Sequence, residues 1–158
     1  MIVCEIKYIL IMNQEKIQLV HHLFQAWNKG NVAEILDCYA NEFTREDIGK
    51  NKKYGKHQIE KSVTAYFTAF PDIHYEIEKL IEKDANIVVC WRASGHHKGK
   101  LMGIPATGKY VLFNGISILE IENKKIHKVW YMWDEAGMLR QMGMLTELRM
   151  GTQSIHRS

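Results

Sequence analysis

An acid crowded by aromatic rings is the first chemistry this sequence offers. From Ile126 to Gly143 the chain reads IHKVWYMWD and then EAGMLRQMG, with Trp130 and Trp133 beside Asp134. Read as a strand running into a short helix, this stretch sends alternate side chains to opposite faces. Trp130, Met132 and Asp134 then share one face, and Val129, Tyr131 and Trp133 the other. A carboxylate held against an apolar wall loses hydration, its pKa rises, and it becomes a usable base for taking a proton from carbon. The same acid also stands where a helix starting at Glu135 needs an N-cap, an oxygen that accepts from a backbone N–H in the first turn. The two roles are compatible, and the sequence leaves both open.

His97 ends a second strand, IVVCWRASGHH, whose same-face residues Ile87, Val89, Trp91, Ala93 and Gly95 are apolar or small. A histidine there can donate to a carbonyl or pass a proton near neutral pH; its plainer role is a hydrogen-bonded start to a loop. Its neighbour His96 faces the other way, so the two do not make a metal pair. Glycines 95, 99, 103 and 108 fit neither phosphate-binding spacing and read as turn and bulge positions. No zinc motif, nucleophile elbow or cofactor fingerprint occurs, and the expectation is a site with no metal and no cofactor.

Helices with apolar stripes must carry these strands. Asn13 is placed to cap a first helix with Ile17, Val20, Phe24 and Trp27 on one face, ended by Gly30. Asn31 and Glu34 form a capping-box pattern for a second, with Val32, Ile35, Leu36 and Tyr39 as its stripe. A short strand spans Phe43 to Ile48. A third helix starts at Lys56, carries Ile59, Val63, Tyr66, Phe67 and Phe70, and stops at Pro71. The period then changes to two: Ile73, Tyr75, Ile77 and Ile81 alternate with charged residues, and further strands follow, the last two joined by a hairpin turn at Asn123-Lys124-Lys125. Helices followed by antiparallel strands define an α+β fold, with helices over one face of a curved sheet that encloses a pocket. Its expected lining is Trp91, Phe113, Trp130 and Met132, with His97 and Asp134 as the polar exceptions.

At 158 residues, 46% apolar and 25% charged, the chain fits one domain, 1–158, with a core that needs no staple. Residues 1–12 read as an N-terminal extension, Met12 being an alternative start, and 149–158 as a frayed tail. A net charge of +3 and a lysine-rich loop at 50–56 with only Tyr54 interleaved argue against nucleic acid. The opening apolar run is interrupted by Glu5 and Lys7, too short to span a membrane and unlike a leader. Cys4, Cys38 and Cys90 form no pairing or zinc spacing, which suits the cytoplasm.

The runs AFPDIHYEIEKLI (69–81), VVCWRASGHHKGKLMGIPATGK (88–109) and GISILEIENKKIHKVWYMWDEAGMLRQMG (115–143) together resemble the SnoaL-like polyketide cyclases, or ester cyclases, from about Ile17 to Gly143. The specific elements are Gly95-x-His97-x-Gly99, then Gly103-x-Pro105-x-Thr107-Gly108, then Trp130 to Asp134. The resemblance implies the cone-shaped α+β barrel of nuclear-transport-factor-2-like proteins, assembled as homodimers or homotetramers through sheet faces. It implies a cofactor-independent cyclase or isomerase acting on a small apolar or aromatic carbonyl compound, with Asp134 as general acid/base in an intramolecular aldol closure. Many relatives carry a histidine near Phe43-Thr44-Arg45-Glu46-Asp47; Glu46 is the expected substitute. The alternatives are a non-catalytic small-molecule binder and an oligomeric module whose outer face buries Tyr131 and Trp133.

Overall fold

The computed structural model describes the backbone of residues 2–48, 50 and 52–146, and the side chains of 14–48, 50 and 52–146. Helix α1 (Ile2–Asn28) is followed by the short α2 (Val32–Asp37), strands β1 (Tyr39–Asp47) and β2 (Lys52–Gly55), and helix α3 (Lys56–Ala69). Then come β3 (His74–Lys83), β4 (Asn86–His96), β5 (Tyr110–Glu122), β6 (Lys125–Trp133) and α4 (Glu135–Met142). The strands form one six-stranded sheet in the order β2-β1-β6-β5-β4-β3. Every pairing is antiparallel except β1 with β6, which is parallel. The sheet is mixed and open, with β2 and β3 as its edges, in the α+β arrangement the sequence predicts.

Two boundaries differ from expectation. The backbone is helical through Asn13, so that residue does not begin α1. Tyr39 leaves the second helix and opens β1, because α2 closes at Cys38 after six residues. The expected frayed tail lies outside the described residues.

β5 shows why the sheet has one wet and one dry side. Val111, Phe113, Gly115, Ser117, Leu119 and Ile121 are buried, and the residues between them are exposed or half-buried. On β4 the matching set is Ile87, Val89, Trp91, Ala93 and Gly95, as read from the sequence. Val20 and Leu23 of α1 and Ile59 and Val63 of α3 join these residues in the core; each such side chain contributes about 1.5–3 kcal/mol by leaving water. The Asn28 side chain extends this contact by pairing with the Tyr75 backbone, donating to its carbonyl at 2.9 Å and accepting from its N–H at 2.7 Å. That clamp holds Trp27 beside the Tyr75 ring, 5.1 Å between centroids.

Two bulges decide which residues face the helices. On β6, Ile121 pairs with Ile126 while Glu120 pairs with Lys128, so His127 is an extra residue. One inserted residue reverses the parity of everything after it. Ile126 faces inward, and beyond the bulge so do Val129, Tyr131 and Trp133, while Trp130 and Met132 turn outward. Glu78 does the same on β3: Ile77 pairs with Trp91 but Lys79 with Cys90. Leu80 therefore joins the core, and Ile81 is 48% exposed instead of continuing the apolar face.

Candidate active site

Between α1, α3 and the dry face of the sheet lies a cavity of about 80 Å³. α1 contributes Phe24 and Trp27, α3 contributes Tyr66, and the sheet contributes Arg45, Tyr75, Trp91, Phe113 and Tyr131. Trp91 reaches across Gly115 because that position has no side chain: a Cβ there would lie 2.1 Å from the indole. Its N–H donates to the Ser117 hydroxyl at 3.0 Å, and its ring stacks on Tyr131 at 6.1 Å and 14°. The wall is thus aromatic and rigid, with its indole N–H already satisfied.

Arg45 is the cation of this cavity. It alternates inward with Phe43 and Asp47 along β1, opposite Val129. Its guanidinium carbon lies 4.9 Å from the centre of the Tyr54 ring and 5.1 Å from that of Tyr131. Its Nε is buried and meets no hydrogen-bond acceptor among the described residues. Asp47, 5% exposed, pairs in register with Tyr131. Its charge acts on the hydroxyls of Tyr66 and Tyr131, raising both pKa values, whereas Arg45 lowers them. Burial outweighs both and holds the Tyr39, Tyr66, Tyr75 and Tyr131 hydroxyls well above the ordinary phenol value. They are neutral donors at physiological pH.

The residues predicted from sequence are not gathered in one place. Trp91 and Phe113 line the cavity as expected. Trp130 and Met132 do not: the bulge at His127 puts them on the outer face, Met132 51% exposed and Trp130 under the Lys128 ammonium at 4.0 Å. Glu46 is on that outer face too, opposite Trp130 and 4.0 Å from Lys53. Tyr131 and Trp133, expected outside, point in; Trp133 packs on Phe113 and Tyr66.

Asp134 caps α4, accepting from the Gly137 N–H at 2.7 Å. Its carboxylate is exposed and borders a hollow on the outer side of the sheet, about 440 Å³, with Asn114, Ile116 and Met132. α4 is fixed there by Gln141, whose amide bonds to the N–H and carbonyl of Leu112 at 2.8 and 2.7 Å, where β5 outruns β6. His97 is fully buried against Phe70, ring centres 5.3 Å apart. Its Nδ1 accepts from the Thr107 N–H at 3.2 Å, which leaves the ring proton to Nε2, and Nε2 has no partner among the described residues. Burial lowers its pKa. With His97 N–H bonded to the Lys109 carbonyl and Gly108 N–H to its own carbonyl, it anchors the loop 97–109.

Arg45, Asp47, Tyr66 and Tyr131 are the site residues the sequence reading passed over. Parity with Phe43 was the available signal for the first two, since residues i, i+2 and i+4 share a face.

Residues 17–142 match the description of the SnoaL-like polyketide cyclases, and the chain belongs to that family. Its fold is shared with AclR, a candidate hydroxylase from Streptomyces galilaeus (18% identity, TM-score 0.80, 85% of this chain and 89% of that one). It is shared too with IdmH, a candidate polyketide cyclase from Streptomyces antibioticus (18%, 0.73, 81% and 98%). A third example is a ketosteroid-isomerase-like protein from Catenulispora acidiphila in complex with trimethylamine (17%, 0.68, 80% and 93%). At these identities the likeness is one of fold, the nuclear-transport-factor-2-like cone. No curated protein matches the chain.

Proposed function

We propose that this chain binds a small apolar carbonyl compound in the cavity between helices and sheet and moves a proton at the carbon next to the carbonyl, without a cofactor. The observation that carries the reading is the polar edge of the cavity, where Arg45, Tyr66 and Tyr131 line it and Asp47 follows Arg45 on the inward face of β1, its charge acting on both tyrosine hydroxyls. Asp47 is the base: it removes the proton from carbon. The carbonyl oxygen becomes an enolate, and neutral tyrosine hydroxyls with the Arg45 cation stabilise it in a place where water does not compete. Return of the proton to another carbon is an isomerisation; attack of the enolate on a second carbonyl of the same molecule is the aldol closure. The cavity's 80 Å³ favours the first with a compact compound, since roughly 150 Å³ is the size of an engineered cavity that takes benzene.

A second reading keeps Asp134 as the acid/base, with His97 as a supporting donor. Its exposed carboxylate on the outer hollow favours it, because a ligand there would meet that oxygen directly. The chain works as a homodimer in either case, with Ile116 and Met132, each about half exposed, covered by the second copy. Cys38 and Cys90, both free thiols, suit a reducing cytoplasm.

Solvent deuterium uptake into methyl acetoacetate and small cyclic enones, followed by NMR, tests the proposal. Uptake above the buffer rate is expected, falling by roughly 10²–10⁴ in Asp47→Asn. Uptake that Asp47→Asn retains overturns the assignment of the base. No uptake with any compound overturns the catalytic reading and leaves a binding protein.

A further inference from the structure

The cavity is lined by a cation, Arg45, that forms no ion pair among the described residues. We infer that the site selects a small planar carboxylate, and that the Arg45 guanidinium is the group that recognises it. The inference takes from the proposed function only the identity of the binding cavity.

Arginine carries five N–H donors and no acceptor; Arg45 is half-buried, and a donor taken out of water costs free energy unless it is hydrogen-bonded. Among the described residues, Arg45 has neither an ion pair nor a hydrogen-bond acceptor, and its Nε is out of reach of solvent. Two lysines near this end of the sheet are engaged elsewhere: Lys56 donates to the Tyr39 carbonyl at 3.0 Å and Lys50 pairs with Glu135 at 2.6 Å. Asp47, the carboxylate that follows on the same strand face, forms no ion pair with Arg45. What Arg45 does have is the rings of Tyr54 and Tyr131 close to its guanidinium carbon. Such contacts engage the flat face of the group and leave its hydrogen-bonding edge for a ligand.

The chemistry of that ligand follows from the rest of the wall. A planar fork of N–H groups matches the two oxygens of a carboxylate. A phosphate dianion brings two charges to one arginine, and the lining holds no lysine. An organic cation is repelled by Arg45. Apolar rings around the remainder, and a volume of about 80 Å³, limit the ligand to about seven non-hydrogen atoms at most. A 3-oxo acid meets all these terms: its carboxylate lies on Arg45, its ketone among the tyrosine hydroxyls, and its acidic carbon between the two.

Affinity is measured by calorimetry on the full chain in a zwitterionic buffer, comparing acetoacetate with acetoacetamide and crotonate with crotonamide. Each pair differs in charge and hardly in shape. Each carboxylate is expected to bind at least about tenfold more tightly than its amide. Arg45→Met should bring the ratio to about one, and Arg45→Lys should fall between. If Arg45→Met does not fold, the Arg45 Nε–H resonance of the wild type decides: it should move with carboxylate and stay with amide. Equal affinity for acid and amide, a preference that survives Arg45→Met, no carboxylate binding, or displacement of crotonate by equimolar inorganic phosphate would each overturn the inference. Its failure is separable from that of the proposed function. Deuterium uptake lost in Asp47→Asn without any carboxylate preference removes only the inference, and carboxylate selectivity without uptake removes only the catalysis.

Discussion

Among the described residues, Arg45 and His97 each bury a nitrogen without a partner, and their surroundings differ. Arg45 keeps its charge in a cavity, where a ligand can reach it. His97 is packed under Phe70 with no exposure, and burial depresses its pKa so that the ring stays neutral. This gives stability a pH dependence of known sign. A histidine whose folded pKa lies below its unfolded value of about 6.5 costs nothing above that value. As pH falls through 6.5 toward the folded pKa, the unfolded chain takes up the proton first and stability is lost. Urea midpoints of the wild type should therefore drop between pH 7.5 and 5, and the drop should be smaller in His97→Gln, which can still accept from the Thr107 N–H. An equal drop in both proteins would show that another group is responsible. The sequence reading found His97 and its loop but not this role, because burial of Nε2 depends on α3 packing over it.

Element by element, legibility followed the regularity of the strands. β4 and β5 alternate without interruption through their inward residues, and their inward faces were read correctly, including Trp91 and Phe113. β6 was read with its faces exchanged, and β3 was wrong beyond Ile77. In both strands the cause is a single extra residue, His127 or Glu78, that no local composition marks. Parity counted from Ile126 without the bulge sends Trp130 and Met132 inward; with it, Tyr131 and Trp133 go there. The exchange is testable by one charge on each face. Tyr131→Glu should cost more than about 3 kcal/mol or prevent folding, because it buries an unpaired carboxylate. Met132→Glu should keep the near-ultraviolet circular dichroism of the wild type. The reverse outcome would mean that β6 presents its other face to the helices. Pairing of β1 was equally hidden: its partner is the last strand, reached in parallel across the whole chain, and a pattern of local periods does not encode that choice.

At the scale of the molecule, class and family were legible and the site was only partly so. Composition and the change of period from helical to alternating were enough for an α+β fold, and the glycine, histidine and tryptophan spacing was enough for the family, which the match over residues 17–142 bears out. The outer face of the sheet remains apolar at Ile116 and Met132, with the hollow bordered by Asp134 beside them. If a second copy covers it, Ile116→Lys should halve the mass measured by light scattering; an unchanged mass would exclude that face as the interface. Whether the chemistry belongs to this side of the sheet or to the cavity behind it is decided by two carboxylates on opposite faces. The measurement is the rate of solvent deuterium uptake into methyl acetoacetate for wild type, Asp47→Asn and Asp134→Asn side by side, each checked for folding. The cavity account predicts uptake in the wild type and in Asp134→Asn, and its loss in Asp47→Asn. Loss in Asp134→Asn with retention in Asp47→Asn would contradict it and move the reaction to the outer face.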